Sequence, residues 1–133
     1  MELVDELRQE FAADPRFAYA LLFGSTARGT AHAESDVDVA VGLVDGVSLD
    51  VHEIGDLVSR LESATGRTVD LVLLDEAGPA LAYRIFRDGV TVLVRDSRAM
   101  VARKARAILG YLDFRPVEER CTRGVLAAAT RGR

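Results

Sequence analysis

The chain has 133 residues, 49% of them hydrophobic and 29% charged, with a net charge of −4. This balance suits one globular domain with an ordinary core. It excludes a disordered tail protein and a uniformly basic nucleic-acid coat.

The elements are predicted in chain order. Residues 2–13 place Leu3, Val4, Leu7 and Phe11 at a helical period, and Asp14-Pro15 ends that helix. Residues 17–23, FAYALLF, form an apolar run stopped by Gly24, which reads as a buried strand. Residues 25–31 can open with one helical turn. Residues 37–43 run apolar and suit a strand covered on both faces. Ser48 is placed to cap a helix over 49–64, with Leu49, Ile54, Leu57, Val58 and Leu61 inward and Gly66 as its stop. Residues 68–74 read as a third strand, 79–87 as a helix, Asp88-Gly89 as a turn and 90–94 as a fourth strand. A last helix runs from Ser97 to beyond Leu112. Val101, Ala105, Ile108, Leu109 and Leu112 make its apolar stripe, flanked by Arg103, Lys104 and Arg106. Helices alternating with strands argue an α/β or α+β class, with a single domain over 1–133 and a basic helical segment over 97–133.

The single cysteine, Cys121, cannot form an internal disulfide, which points to a reducing compartment. The acid-rich, amphipathic start is neither a signal nor a transit peptide. The longest apolar run falls far short of the ~20 residues of a membrane-spanning helix. A soluble, cytoplasmic protein with no membrane contact and no direct nucleic-acid partner is the expectation.

Charge is uneven along the chain. Residues 1–83 hold 5 Lys and Arg against 16 Asp and Glu, whereas 84–133 hold 12 against 5. An acidic site in the first part and a basic surface in the last would produce this; so would mutual attraction of the two parts within the fold.

The chemistry sits between Gly24 and Asp70. Asp36 and Asp38 open a strand, so alternation points both to one side while Val37 and Val39 enter the core. Two carboxylates so placed repel unless a cation lies between them, and hard oxygen ligands select Mg²⁺ or Mn²⁺. Asp70 stands among apolar neighbours in the third strand, where an acid is expensive unless paired or metal-bound. If the second and third strands are neighbours, Asp70 completes a three-carboxylate cluster. Gly24 lets a phosphate approach the backbone, and the N–H groups after it, with the Ser25 hydroxyl, can hold phosphate oxygens. Arg28 can add charge-assisted bonds to the same phosphates. The set suits two-metal phosphoryl or nucleotidyl transfer. Structural roles compete with each assignment: a strand-start turn for Asp36 and Asp38, an ion pair to an arginine of the last helix for Asp70, a helix cap for Ser25, and a solvated loop for Arg28 and His32. Tyr111 and Phe114 read as caps of the core, and the cations of the last helix as an exposed face.

The Gly24-Ser25 pair, ten intervening residues and Asp36-x-Asp38 resemble the signature of the DNA polymerase β-like nucleotidyltransferases. With VDLVLL at 69–74, the YRIxRxGV stretch at 83–90 and YLDFRP at 111–116, the chain is similar to the minimal nucleotidyltransferases, small antitoxins encoded beside HEPN-domain toxin ribonucleases. The resemblance implies a mixed sheet of about four strands flanked by helices. It implies an ATP–Mg²⁺ site and transfer of AMP to a hydroxyl, in these pairs a tyrosine of the toxin. Asp36, Asp38 and Asp70 would then be metal ligands, Asp70 also the base, and Gly24 and Ser25 the holders of the β- and γ-phosphates. A chain this short leaves no room for a separate acceptor-binding domain, which favours a protein acceptor. A nucleotidyltransferase of small molecules such as aminoglycosides, or an antitoxin acting by binding alone, are the alternatives.

Overall fold

The computed structural model describes residues 2–28 and 36–113, with the side chain of Arg28 outside that description. In chain order these residues form α1 (Glu2–Ala12), β1 (Phe17–Phe23), α2 (Gly24–Arg28), β2 (Val37–Leu43), α3 (Val51–Thr65), β3 (Val69–Leu73), a 3₁₀ turn (Leu74–Glu76), α4 (Pro79–Asp88) and β4 (Val90–Val94). A last helix, α5, covers 97–113. The strands make one mixed sheet in the order β3-β2-β1-β4. β1 is antiparallel to both β2 and β4, and β2 is parallel to β3. The four-stranded α+β architecture expected from the sequence is the one observed. Among the described residues no helix is long and apolar enough to cross a membrane.

Strand alternation divides the core between the two faces of the sheet. Val37, Val39 and Val41 meet Leu22 and Val92 on one face, where α1 brings Leu3, Val4, Leu7 and Phe11 and α3 brings Leu57 and Leu61. Tyr19, Leu21 and Ala40 lie on the other face, under Ala82, Ile85 and Phe86 of α4 and Ala107 of α5. Tyr19 packs against Gly42, where a Cβ would lie 2.1 Å from its Cζ. Burial pushes the Tyr19 hydroxyl up to about 12.

Four expectations need correction. Helix α3 is capped by Asp50, not Ser48: the Asp50 carboxylate accepts from the N–H of Glu53, and the Glu53 carboxylate accepts from the N–H of Asp50. This reciprocal pair satisfies two backbone donors at once, which a lone serine two residues earlier cannot do. Gly66 ends the helix in the left-handed conformation, as expected. Strand β3 is an edge strand, not a buried one, and Asp70 on it is exposed. Helix α4 runs one residue further than predicted, through Asp88, and its strand β4 pairs with β1 across the sheet.

The largest correction concerns Arg103 of α5, expected on an exposed cationic face. The helix turns its apolar stripe away from the fold: Val101 is 61% exposed, Leu109 63% and Leu112 48%. The inward side carries Ala99, Met100, Ala107 and Tyr111, small or flat residues that let the helix lie close on α4 and the 3₁₀ turn. Arg103 is on that side, 8% exposed, and not on a solvated cationic face. Its guanidinium donates to the Leu74 carbonyl at 2.7 Å and stands 3.5 Å from Asp75. With a carbonyl and a carboxylate as partners the buried guanidinium is paired, so it can take an inward position on the helix.

Asp14, in the corner between α1 and β1, ties three elements together. Its carboxylate takes Arg16 at 2.6 Å and Arg60 of α3 at 3.1 Å. The hydrogen bond from Arg16 holds the carboxyl well below the usual carboxylate range, against the upward push of its burial. A depressed folded pKa gives stability that is present above the unfolded value near 4 and is lost as pH falls below it. Asp14→Asn is therefore expected to lower stability by about 2 kcal/mol at pH 7, a typical figure for hydrogen bonds to charged groups. Urea unfolding of both proteins at pH 7 and pH 3 checks this: the gap should narrow in acid, and an unchanged gap would contradict it.

Candidate active site

Strand directions bring the chemical residues to one end of the sheet. Because β1 and β2 are antiparallel, the last residue of β1, Phe23, is the register partner of Asp38 near the start of β2. Because β2 and β3 are parallel, Asp38 is also the register partner of Asp70. Paired residues project to the same face of a sheet, and neighbouring strands lie about 4.8 Å apart. Asp38 and Asp70 thus share a face, and alternation gives Asp36 the same side. Val37 and Val39 are fully buried on the opposite side, as alternation requires.

Gly24 follows directly on Phe23 and starts α2 with φ of +74°. A Cβ at this position would lie 2.2 Å from Oδ2 of Asp38. Both the left-handed backbone and the contact demand glycine: any side chain would strain the turn and displace the Asp38 carboxylate. The glycine of the Gly-Ser pair and the second acid of the Asp-x-Asp pair are thus in direct contact across two strands. Ser25 follows in the first turn of α2, half-buried. Thr26, which sequence reasoning passed over, is buried, and its hydroxyl donates to the Phe23 carbonyl. A third small polar residue immediately after a strand end is the signal that would have found it. Helix α2 rests on β1, β2 and α4.

The expected neighbourhood of the second and third strands is therefore present, and Asp38 and Asp70 are adjacent. Asp36 is exposed at the strand entrance and Asp38 is half-buried. Among the described residues no three His, Cys, Asp or Glu side chains are already disposed to enclose a metal ion. The competing ion pair for Asp70 is not found: Arg103 of α5 goes to Leu74 and Asp75 instead, and among the described residues Asp70 has no ion-pair partner. The backbone of Arg28 closes α2, but its side chain, His32, Phe114, Arg115 and Cys121 lie outside the described residues. Tyr111 is half-buried and stacks on Tyr83 of α4, with ring centroids 4.2 Å apart. Arg87 lies over the Tyr83 ring. The first tyrosines of the YRIxRxGV and YLDFRP stretches therefore meet at the α4–α5 contact.

The family model described as "Polymerase beta, Nucleotidyltransferase" matches residues 5–98, a stretch holding every candidate site residue. Over 75 residues the chain is 37% identical to the protein adenylyltransferase MntA of Shewanella oneidensis, a match covering 56% of this chain and about half, 52%, of that relative. Among solved structures, the fold superposes with a TM-score of 0.80 on a chain from a toxin–antitoxin crystal structure with AMP-PNP. There the identity is 24%, covering 92% of this chain and 98% of that one. It also superposes, with a TM-score of 0.74 and 21% identity, on a chain from the structure of a tri-AMPylated Shewanella oneidensis HEPN toxin in complex with an MNT antitoxin. That match covers 94% of this chain and 97% of the other. Both structural likenesses speak for the fold.

Proposed function

Because this chain belongs to the polymerase beta nucleotidyltransferase family, we propose that it is an antitoxin adenylyltransferase that moves AMP from ATP to a hydroxyl, a tyrosine, of a cognate HEPN-domain toxin. The observation that carries the reading is the contact of Gly24 with the Asp38 carboxylate, with Asp70 in register beside it. It joins a side-chain-free backbone turn to an acidic strand end, which is what holding a metal-bound triphosphate asks of a protein. The resemblance of the shared 75-residue stretch to MntA supports AMP as the group moved.

The donor set fits the implied cation. Asp36 and Asp38 offer only carboxylate oxygens, the ligands preferred by Mg²⁺ and Mn²⁺, and Asp70 stands in register to add a third. When bound, the cation supplies charge neutralisation at the phosphates and lowers the pKa of an attacking hydroxyl. The chain's own residues do the rest. Gly24 and Ser25 hold the β- and γ-phosphates. Asp70 accepts the proton of the incoming hydroxyl. The acceptor oxygen forms a bond to the α-phosphorus while the bond from that phosphorus to the bridging oxygen breaks and pyrophosphate departs. An exposed Asp70 on an edge strand suits this role, since the acceptor arrives from outside the chain.

The test is incubation of the purified protein with ATP labelled at the α-phosphate, Mg²⁺ and the HEPN-domain protein encoded beside it. Label on a tyrosine of that protein is the expected result. Label on an aminoglycoside instead would move the assignment to small-molecule transfer. Neutralisation of the toxin without any label would leave binding alone as its action.

A further inference from the structure

The outward face of α5 is apolar where a solvated helix would be polar. Val101, Ala105, Ile108, Leu109 and Leu112 fall within an arc of about 100° at 100° per residue, and the stripe is about 17 Å long at 1.5 Å per residue. All five are exposed. The helix is anchored from its other side by the buried Arg103 and Ala107 and by the Tyr83–Tyr111 stack, and these five residues stay exposed in the structure. Cations border it: Lys104 on one side, Arg106, 3.5 Å from Asp75, on the other, and Arg98 at its N-terminal end, all exposed, with the exposed Asp113 at its C-terminal edge. Like charges bordering an apolar stripe are the counterpart of an amphipathic helix with acidic flanks.

We infer that this face of α5 is the docking surface for the partner, and that it receives an amphipathic helix of the HEPN toxin whose apolar stripe is bordered by Asp and Glu. This rests on the reading of the chain as a toxin-directed adenylyltransferase and names the surface that reading requires. Charge argues against the two other occupants. Residues 114–133 carry five arginines against two glutamates, a charge of the same sign as these cations and so a poor complement to them. A second copy docked stripe to stripe would bring two sets of Arg98, Lys104 and Arg106 together. The surface lies on α5 and not on the strand ends that carry Gly24, Asp38 and Asp70. Docking can therefore hold the toxin while leaving those groups to meet the acceptor hydroxyl.

The test uses the full chain and the purified HEPN protein. Val101→Glu with Leu109→Glu places acids against the partner's acids and is expected to weaken the complex by at least about tenfold, the effect of losing two central apolar anchors. Melting temperature and ATP binding should stay unchanged, because both residues are solvent-facing. Arg98→Glu with Lys104→Glu should weaken it at low salt, with the difference shrinking as ionic strength rises. A Leu109→Cys side chain, in a Cys121→Ser background, should react quickly with a maleimide in the free chain and slowly in the complex. If wild type binds the toxin and the stripe variant binds it equally, the surface is wrong and the functional reading stands. If wild type itself fails to bind the toxin, that reading falls and the surface falls with it. A slow maleimide reaction in the free monomer would give the face to residues 114–133. A wild-type dimer made monomeric by the stripe variant would give it to a second copy. Either result overturns the inference.

Discussion

Asp38→Asn, and equally Asp36→Asn, is expected to reduce AMP transfer by about a thousandfold or more while the protein stays folded. A cation held by carboxylates supplies several kcal/mol of stabilisation to the charge developing on the phosphates, and each 1.4 kcal/mol is about tenfold in rate. Asparagine keeps the shape of the side chain and removes the charge that would bind the cation. The shape matters at position 38, because the carboxylate fills the space against Gly24 that a Cβ would otherwise enter. The stability consequence is separate from the catalytic one. Asparagine is close in size to aspartate, so the metal-free melting temperature should change little, whereas the additional rise produced by Mg²⁺ and ATP in the wild type should disappear. Measuring melting with and without Mg²⁺–ATP, next to the rate of labelled AMP transfer, separates the two effects. Undiminished transfer by either variant, or full wild-type transfer in excess EDTA, would remove these residues from the site.

The end of the sheet that gathers Gly24, Asp38 and Asp70 was legible because several independent signals agree there. An apolar strand stopped by Gly24, ten residues, and two acids alternating with buried valines constrain each other in sequence and in space. The same holds for α1, whose four periodic apolar residues are all buried. Arg103 of α5 was misplaced for a physical reason: periodicity detects an apolar face and carries no sign for inward or outward. There the inward face was built from Ala107, Ala99 and an arginine whose partners, the Leu74 carbonyl and Asp75, lie about thirty residues away in sequence. The α3 cap was misplaced because Ser48 and Asp50 are both good caps, and only the Glu53 three residues beyond Asp50 distinguishes them. The exposure of Asp70 depends on β3 being outermost, which is a property of strand order. An apolar run such as VDLVLL reads as a central strand when only local pattern is used.

Asp70→Asn is expected to separate catalysis from stability in a way that depends on that edge position. Were Asp70 the buried partner of an arginine, its loss would leave an uncompensated cation and cost several kcal/mol. The arginine best placed for that, Arg103, is already satisfied by the Leu74 carbonyl and Asp75, and Asp70 faces solvent. The variant should therefore melt within about 0.5 kcal/mol of the wild type, the usual range for surface substitutions. It should also bind ATP nearly as well, because Asp36, Asp38, Gly24 and Ser25 are untouched. Transfer should nevertheless slow by roughly a hundredfold or more, the loss expected when a positioned base is removed. The slowing should be smaller at high pH, where the acceptor hydroxyl approaches ionisation in solution and depends less on a base. Single-turnover rates across pH 7 to 10, with melting temperature and nucleotide affinity on the same preparation, decide the matter. A large drop in melting temperature with a normal rate in the remaining folded protein would return Asp70 to a structural role. A loss of ATP affinity matching the loss of rate would make it a metal ligand without a part in moving the proton.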